Sequence, residues 1–291
     1  MGVLIGWVVG FLAVRFVLVA GHDMFHVPAL ARLNYRGRRL ITAGGLYLVM
    51  AVLIVEAGRS ALGGFEIGDP PGLNPARPLV LFAAFGFGLL GFMDDVLGGE
   101  DRGFRGHLRA LSRGRLTTGM VKLIGGAAIA LVLASAPGFV TGKRLLADAL
   151  LIALAANLGN LLDRAPGRVI KCSLVAYVPI AIVAGAGAVG IAVAPLMGAT
   201  LGLLPEDLHE RLMLGDTGAN ILGGILGLVV VLECDRTTRN IVLAVLVVLN
   251  LASEFVSFSR VIERVPPLRW LDQLGRARAA PPIDPTDHTP A

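Results

Sequence analysis

The chain has 291 residues, 55% of them hydrophobic and only 16% charged, with a mean hydropathy of +0.75. That composition excludes an ordinary soluble globular domain. The net charge of +5 would suggest nucleic acid in a soluble protein, but here the basic residues gather in some loops and avoid others, as membrane topology requires, and no nucleic acid partner is expected.

The apolar residues come in long blocks rather than helical stripes, so they read as membrane spans. The opening MGVLIGWVVGFLAV has no basic leader and no clear cleavage site. It reads as a first span, over 2–20, rather than a removed signal peptide. Further spans are predicted near 41–57, 79–93, 119–136, 145–161, 172–188, 189–204, 219–232 and 240–257. Several fall short of the roughly 20 residues that cross a bilayer comfortably. The stretch 172–204 is divided in two, and its many Gly and Ala suit close helix packing in a bilayer. The fold class is an all-α polytopic integral membrane helix bundle of about 9–10 transmembrane helices. Residues 1–258 make the membrane domain, and 259–291 a basic, Pro-rich tail that is expected to be partly disordered. Cys172 and Cys234 have neither metal spacing nor a disulfide framework.

Nine spans put the loops on alternating sides. Loops 21–40, 94–118, 162–171 and 205–218, with the tail from 258, hold 18 Lys and Arg, against 6 in 58–78, 137–144 and 233–239. The excess marks the first set as cytoplasmic, with the N-terminus outside and the C-terminus inside. A multi-pass protein of the inner (plasma) membrane follows.

The topology gathers the acids. Asp94 and Asp95 (GFMDDVLGG), Asp163 (NLGNLLDRAPGR) and Asp216 (MLGDTGAN) all border the cytoplasmic ends of predicted spans. A charge beside an apolar span is expensive and needs a partner or water. Several carboxylates at one depth repel unless a cation sits among them, and hard oxygen ligands suit Mg²⁺, which takes one or two carboxylates plus substrate phosphates. The loop 94–118 carries Arg102, Arg105, His107, Arg109, Arg113 and Arg115, and Arg clusters recognise phosphate. The Gly-Asp-Thr-Gly turn around Thr217 opens a helix whose free N–H groups favour anions. Acids for a metal and bases for phosphates suggest phosphoryl chemistry on a lipid substrate.

Each feature also has a plainer explanation. A DD pair at a helix end is often solvated interface, Asp216 beside Thr217 could be an N-cap, and the Arg-rich loop follows from topology and anionic lipids as well as from a substrate. His22, His26 and His107 are too scattered for zinc. Asn157 and Asn160 lie within a span and need partners; their i, i+3 spacing puts both on one face, with Asp163 three residues on. Arg15, within the first span, either pairs inward or snorkels.

In this order, NYRGRRLITAGG, GFMDDVLGG, RLTTGMVK, ANLGNLLD and MLGDTGANILGG resemble the polyprenyl-phosphate N-acetylhexosamine-1-phosphate transferases over roughly residues 30–225. This superfamily includes phospho-MurNAc-pentapeptide translocase and the UDP-GlcNAc:undecaprenyl-phosphate GlcNAc-1-phosphate transferases. The resemblance implies Mg²⁺-dependent transfer of a sugar-1-phosphate from a UDP-sugar to undecaprenyl phosphate, with release of UMP, in cell-envelope glycan synthesis; Mn²⁺ is the expected substitute metal. By motif match, Asp216 is the metal ligand, Asp94 and Asp95 handle the lipid phosphate or the metal, Lys122 contacts phosphate, and Asn157 and Asp163 complete the site. Asn160, Thr217, Gly44 and Gly45 fall on the same motifs and are expected at the substrate. The resemblance leaves homodimerisation open.

Two departures stand out. LDRAPGR replaces the family's Asp-Gly-x-Asp-Gly, so Pro166 stands where a second acid is usual, and Arg164 and Arg168 enter as candidate diphosphate contacts. The family's His-rich loop near its last helices has no counterpart in SRVIERVPPLRWLDQLGR. A catalytically degenerate relative that binds polyprenyl phosphate or a partner without turnover is the alternative. A transporter is disfavoured because the acids lie at span ends rather than at the midplane.

Overall fold

The computed structural model describes residues 2–68, 72–98, 112–114, 116–136 and 142–277. In chain order these form α1 (Val3–Ala20), a short α2 (His22–Phe25), a 3₁₀ turn (Pro28–Leu30), β1 (Ala31–Leu33), β2 (Arg39–Ile41), α3 (Gly45–Gly64), α4 (Ala76–Leu97), α5 (Thr118–Ser135), α6 (Gly142–Leu162), α7 (Arg168–Ala184), α8 (Ala188–Leu208), α9 (Gly215–Glu233), α10 (Arg236–Ser253), α11 (Phe258–Arg264) and α12 (Pro266–Gln273). Eight of them, α1, α3–α6 and α8–α10, are long and apolar enough to cross a membrane. The 17-residue α7 packs among them against α6, α8 and α9. The protein is an all-α polytopic membrane bundle, and the division of 172–204 falls at Gly185–Gly187, where Gly185 takes φ +51° and ends α7. Of the predicted Arg-rich loop, only Arg113 lies within the described residues.

Most helices outrun the apolar blocks that predicted them, because charges at their ends pair with one another. On α3, Glu56 accepts from Arg59 at 2.7 Å and from Arg77 of α4 at 2.5 Å, and all three are buried. On α6, fully buried Asp148 pairs with Arg144 and with Arg239 of α10, the latter at 2.9 Å. Paired charges can be taken out of water where single ones cannot, so the helices run on through them.

α9 is the central element, packed by α4, α6, α7 and α3. Glycines let these helices approach closely. A Cβ on Gly45 of α3 would overlap the Gly218 amide of α9, and one on Gly223 of α9 would overlap the Ala155 carbonyl of α6. Small residues at such crossings are how helices associate where lipid removes the hydrophobic drive between them. α10 lies at the edge and packs mainly on α6.

Candidate active site

The site is built at one end of the bundle, where α3, α5, α7 and α9 start and α4, α6 and α8 finish. A two-stranded ribbon lies over it. β1 pairs antiparallel with β2, Ala31 opposite Ile41. β2 then bridges Leu212, and Met213 N donates to the Ile41 carbonyl at 2.7 Å. Gly44 N and Gly45 N donate in turn to the carbonyls of Met213 and Leu214, at 2.9 and 3.0 Å. These backbone bonds lock 41–45 against 212–214 and fix the start of α9. Ala43, in this run, is buried with φ +60°, a conformation that costs a non-glycine residue roughly 1 kcal/mol. Gly215 opens α9 with φ +71°.

Asp95, near the end of α4, caps that opening. Its Oδ1 accepts from Asp216 N at 3.0 Å and Thr42 Oγ1 at 3.2 Å, and its Oδ2 accepts from Thr217 N at 3.0 Å and Thr217 Oγ1 at 2.6 Å. The carboxylate thus satisfies two of the free N–H groups at the α9 start and sits at its positive dipole end. The N-cap function, the plainer alternative for Asp216, belongs to Asp95, supplied from another helix.

Freed from capping, Asp216 turns to Lys122 of α5. Lys122 Nζ donates to Asp216 Oδ2 and, at 3.4 Å, to Asp94 Oδ2. All three side chains remain partly open to solvent. Asp216, Asp95 and Asp163 also line a cleft of about 600 Å³ with Asn34, Tyr35, Arg164, Pro166 and Glu210. Burial pushes the Asp163 carboxyl well above the usual range, and the nearby Asp207, Asp216 and Asp95 add to it. An apolar groove of about 400 Å³ runs between α6, α7, α9 and α10, lined by Leu158, Leu162, Cys172, Pro179 and Leu226.

Other predicted residues are placed differently. Thr217 is fully buried and gives its hydroxyl to Asp95. The amides of Gly44 and Gly45 are taken up by the backbone lock. Asn157 turns away from the acids and donates to Asn250 of α10 at 2.7 Å; a helical i, i+3 pair spreads over about 60°, enough to part it from Asn160. The Oδ1 of Asn160 is buried without a partner among the described residues. Arg168, expected at a diphosphate, donates two hydrogen bonds to the Asp272 carboxylate of α12, at 2.8 and 3.0 Å. Arg15 settles inward on Glu206 at 2.6 Å.

Sequence reasoning passed over three residues. Asp207 accepts from Gly167 N at 2.8 Å and Leu214 N at 3.2 Å, tying the Asp163 loop to the α9 approach. Glu210, its side chain 2% exposed, holds Arg36 at 2.8 Å, Arg38 at 3.2 Å and Asn34 at 3.0 Å, and so fixes the ribbon turn over the cleft. Asn220 lies one turn below Asp216, with its Nδ2 buried and unpartnered among the described residues. An acid inside an apolar helix end was the available signal for the first two.

The donor set bears on a metal. Among the described residues, no three His, Cys, Asp or Glu side chains converge on one point. Asp94 and Asp216 do share one cation, Lys122. Two carboxylates with space beside them fit Mg²⁺, whose other ligands are then phosphate oxygens and water.

No family model matches the chain. Curated proteins do, among them three called phospho-N-acetylmuramoyl-pentapeptide-transferase. That of Deinococcus radiodurans is 31% identical over 63% of this chain and 59% of its own length. That of Oceanobacillus iheyensis is 28% identical over 87% of this chain and 84% of its own. That of Shouchella clausii is 28% identical over 77% of this chain and 71% of its own. The match thus spans about three fifths of the Deinococcus protein and more of the other two.

Proposed function

We propose that the chain, which is similar to phospho-N-acetylmuramoyl-pentapeptide-transferases, transfers a phospho-sugar from a UDP-sugar to undecaprenyl phosphate at the cytoplasmic face of the inner membrane, releasing UMP. The observation that carries this is the grouping of Asp94, Lys122 and Asp216 at a polar cleft that Asp216 lines, in a bundle that also carries an apolar groove. The groove suits a polyprenyl tail and the cleft a nucleotide-sugar.

In this reading, an oxygen of the lipid phosphate attacks the phosphorus that bears the sugar. A new P–O–P link forms, the old one breaks, and UMP leaves with the electron pair. The acceptor oxygen is already ionised near neutral pH, since the second phosphate pKa is about 6, so no strong base is needed. Asp94 and Asp216 would hold Mg²⁺, which when bound would neutralise charge on the diphosphate. Lys122, within reach of both carboxylates, turns to a phosphate oxygen when they are occupied. Asp95 keeps the α9 N-terminus aimed at the same place. Positioning and electrostatics of this kind dominate phosphoryl transfer.

The orientation has support as well. Of the six Lys and Arg on the predicted outer side, Arg59, Arg77, Arg144 and Arg239 pair with the buried Glu56 and Asp148. Only Lys143 and Arg236 remain there to weigh against the inner excess.

One observation favours the alternative, a relative that binds polyprenyl phosphate without turnover: Arg168 is consumed by Asp272 and cannot neutralise a diphosphate. The test is UMP release by purified protein with undecaprenyl phosphate, Mg²⁺ and a panel of UDP-sugars, UDP-MurNAc-pentapeptide first, beside Asp216→Asn. Release with one donor, lost in the variant, supports transfer. Lipid phosphate binding with no release from any donor supports the alternative.

A further inference from the structure

The segment after α10 reverses the usual polarity of a surface helix. On α12 the acid, Asp272, points inward; its carboxylate is 9% exposed and held by Arg168 and by Arg276 at 2.6 Å. Leu268, Trp270, Leu271 and Leu274 point outward, and Trp270 is 63% exposed. A helix beside water would bury the tryptophan and show the aspartate.

Depth gives the reason. Lys171 Nζ donates to the carbonyls of Leu271, Asp272 and Leu274 at 2.9, 2.7 and 3.0 Å, closing the C-terminal end of α12. Lys171 is three residues into α7, so α12 ends beside the first turn of a helix of the bundle, about 5 Å below its tip. The outward apolar row also continues from the bilayer-facing side of α10. Ile241, Val245, Val248 and Leu251 are exposed there at helical spacing, and Phe255, where the chain leaves α10, is 87% exposed. Around the apolar face, the exposed charges from Phe258 to Ala277 are Arg260, Arg264 and Arg269 with Glu263, a positive excess. None of the three arginines forms an ion pair among the described residues.

We propose that α11 and α12 are an interfacial anchor, in which Trp270, Leu271 and Leu274 enter the headgroup layer of the membrane while Arg260, Arg264 and Arg269 meet anionic lipid headgroups. Aromatic and apolar side chains flanked by arginine are the composition that binds this layer. The proposal stands apart from the transferase reading, because it needs only the membrane bundle. Its consequence for the site is direct: Arg276 donates to the Pro166 carbonyl at 2.9 Å and Ala277 N to the Leu208 carbonyl at 3.1 Å. The anchor therefore holds the Asp163 loop at a fixed height above the bilayer.

The chain has two tryptophans, so full-length Trp7→Phe reports Trp270 alone. The variant is placed in nanodiscs, one copy per disc, of phosphatidylcholine with and without phosphatidylglycerol, and its fluorescence is quenched with bromine-labelled lipid or aqueous iodide. The expected result is quenching by the lipid, at least twofold shielding from iodide relative to free tryptophan, and stronger shielding with phosphatidylglycerol. Arg264→Glu with Arg269→Glu removes the lipid-charge dependence; 0.5 M salt on the unaltered arginines removes it too and serves if that variant folds poorly. Free access to iodide with no quenching by bromolipid in either disc overturns the proposal. So does shielding that arises only with two copies per disc, which would assign the face to a second copy of the chain.

Discussion

Asp95 accepts both the amide and the hydroxyl of Thr217, at 3.0 and 2.6 Å, across 122 residues of chain. One helix thereby caps another, and the carboxylate of the turn itself, Asp216, is released to face Lys122. Asp95→Ala is expected to lower stability by about 2 kcal/mol, the upper range for a lost cap, and to lower UMP release with it. Asp216→Asn should abolish release with a much smaller effect on melting in detergent. Thermal melts and turnover of the two variants side by side separate the roles; equal melting of both would show that Asp95 is not the cap.

Lys122→Met removes the cation shared by Asp94 and Asp216. Loss of one preorganised charge at a transferring phosphoryl group costs on the order of 10²–10³ in kcat. That drop is expected at saturating Mg²⁺, with the protein still folded. Turnover at the wild-type rate would remove Lys122 from the reaction.

Glu210 holds three side chains of the ribbon turn and lines the cleft without a hydrogen bond to Asp94, Asp95 or Asp216 among the described residues. Glu210→Gln weakens that grip without emptying the space. KM for the UDP-sugar should rise several-fold and kcat should stay within about twofold, the pattern of lost uniform binding. An unchanged KM would show that the turn does not border the donor.

The lock between 41–45 and 212–218 can be probed from both sides. Gly45→Ala forces a methyl onto the Gly218 amide and should cost about 1–3 kcal/mol. Gly58→Ala, on the same helix with nothing within 4 Å, should leave melting unchanged or slightly raised. Ala43→Gly relieves a positive φ and should stabilise by about 1 kcal/mol. Melting temperatures in one detergent decide all three.

At the opposite end, Asp148→Asn leaves Arg144 and Arg239 without their buried partner. Breaking such a pair costs about 3 kcal/mol. The protein should melt earlier, while the fraction that stays folded keeps its KM, since the change lies at the far end of α6. A changed KM with normal melting would contradict this assignment.

The sequence by itself determined the membrane bundle, because apolar blocks act locally: a run of side chains that water rejects must span, and the Gly- and Ala-rich stretch 172–204 divides in two, at a point the structure sets at Gly185–Gly187. It also determined that Asp94, Asp95, Asp163 and Asp216 lie at one end, since alternation along the spans fixes which end each acid meets. Only the tertiary structure decided what each acid does. Asp95 and Asp216 look alike in one dimension, yet one caps α9 and the other meets Lys122, because hydrogen-bond partners are set by which helix tips touch. Arg168 could not be read as a structural residue until Asp272, 104 residues on, folded back against it. The same holds for Glu210, whose three partners come from the far end of the chain. Local pattern reports which residues meet lipid; pairing between distant charges is decided by packing, which no short stretch of sequence contains.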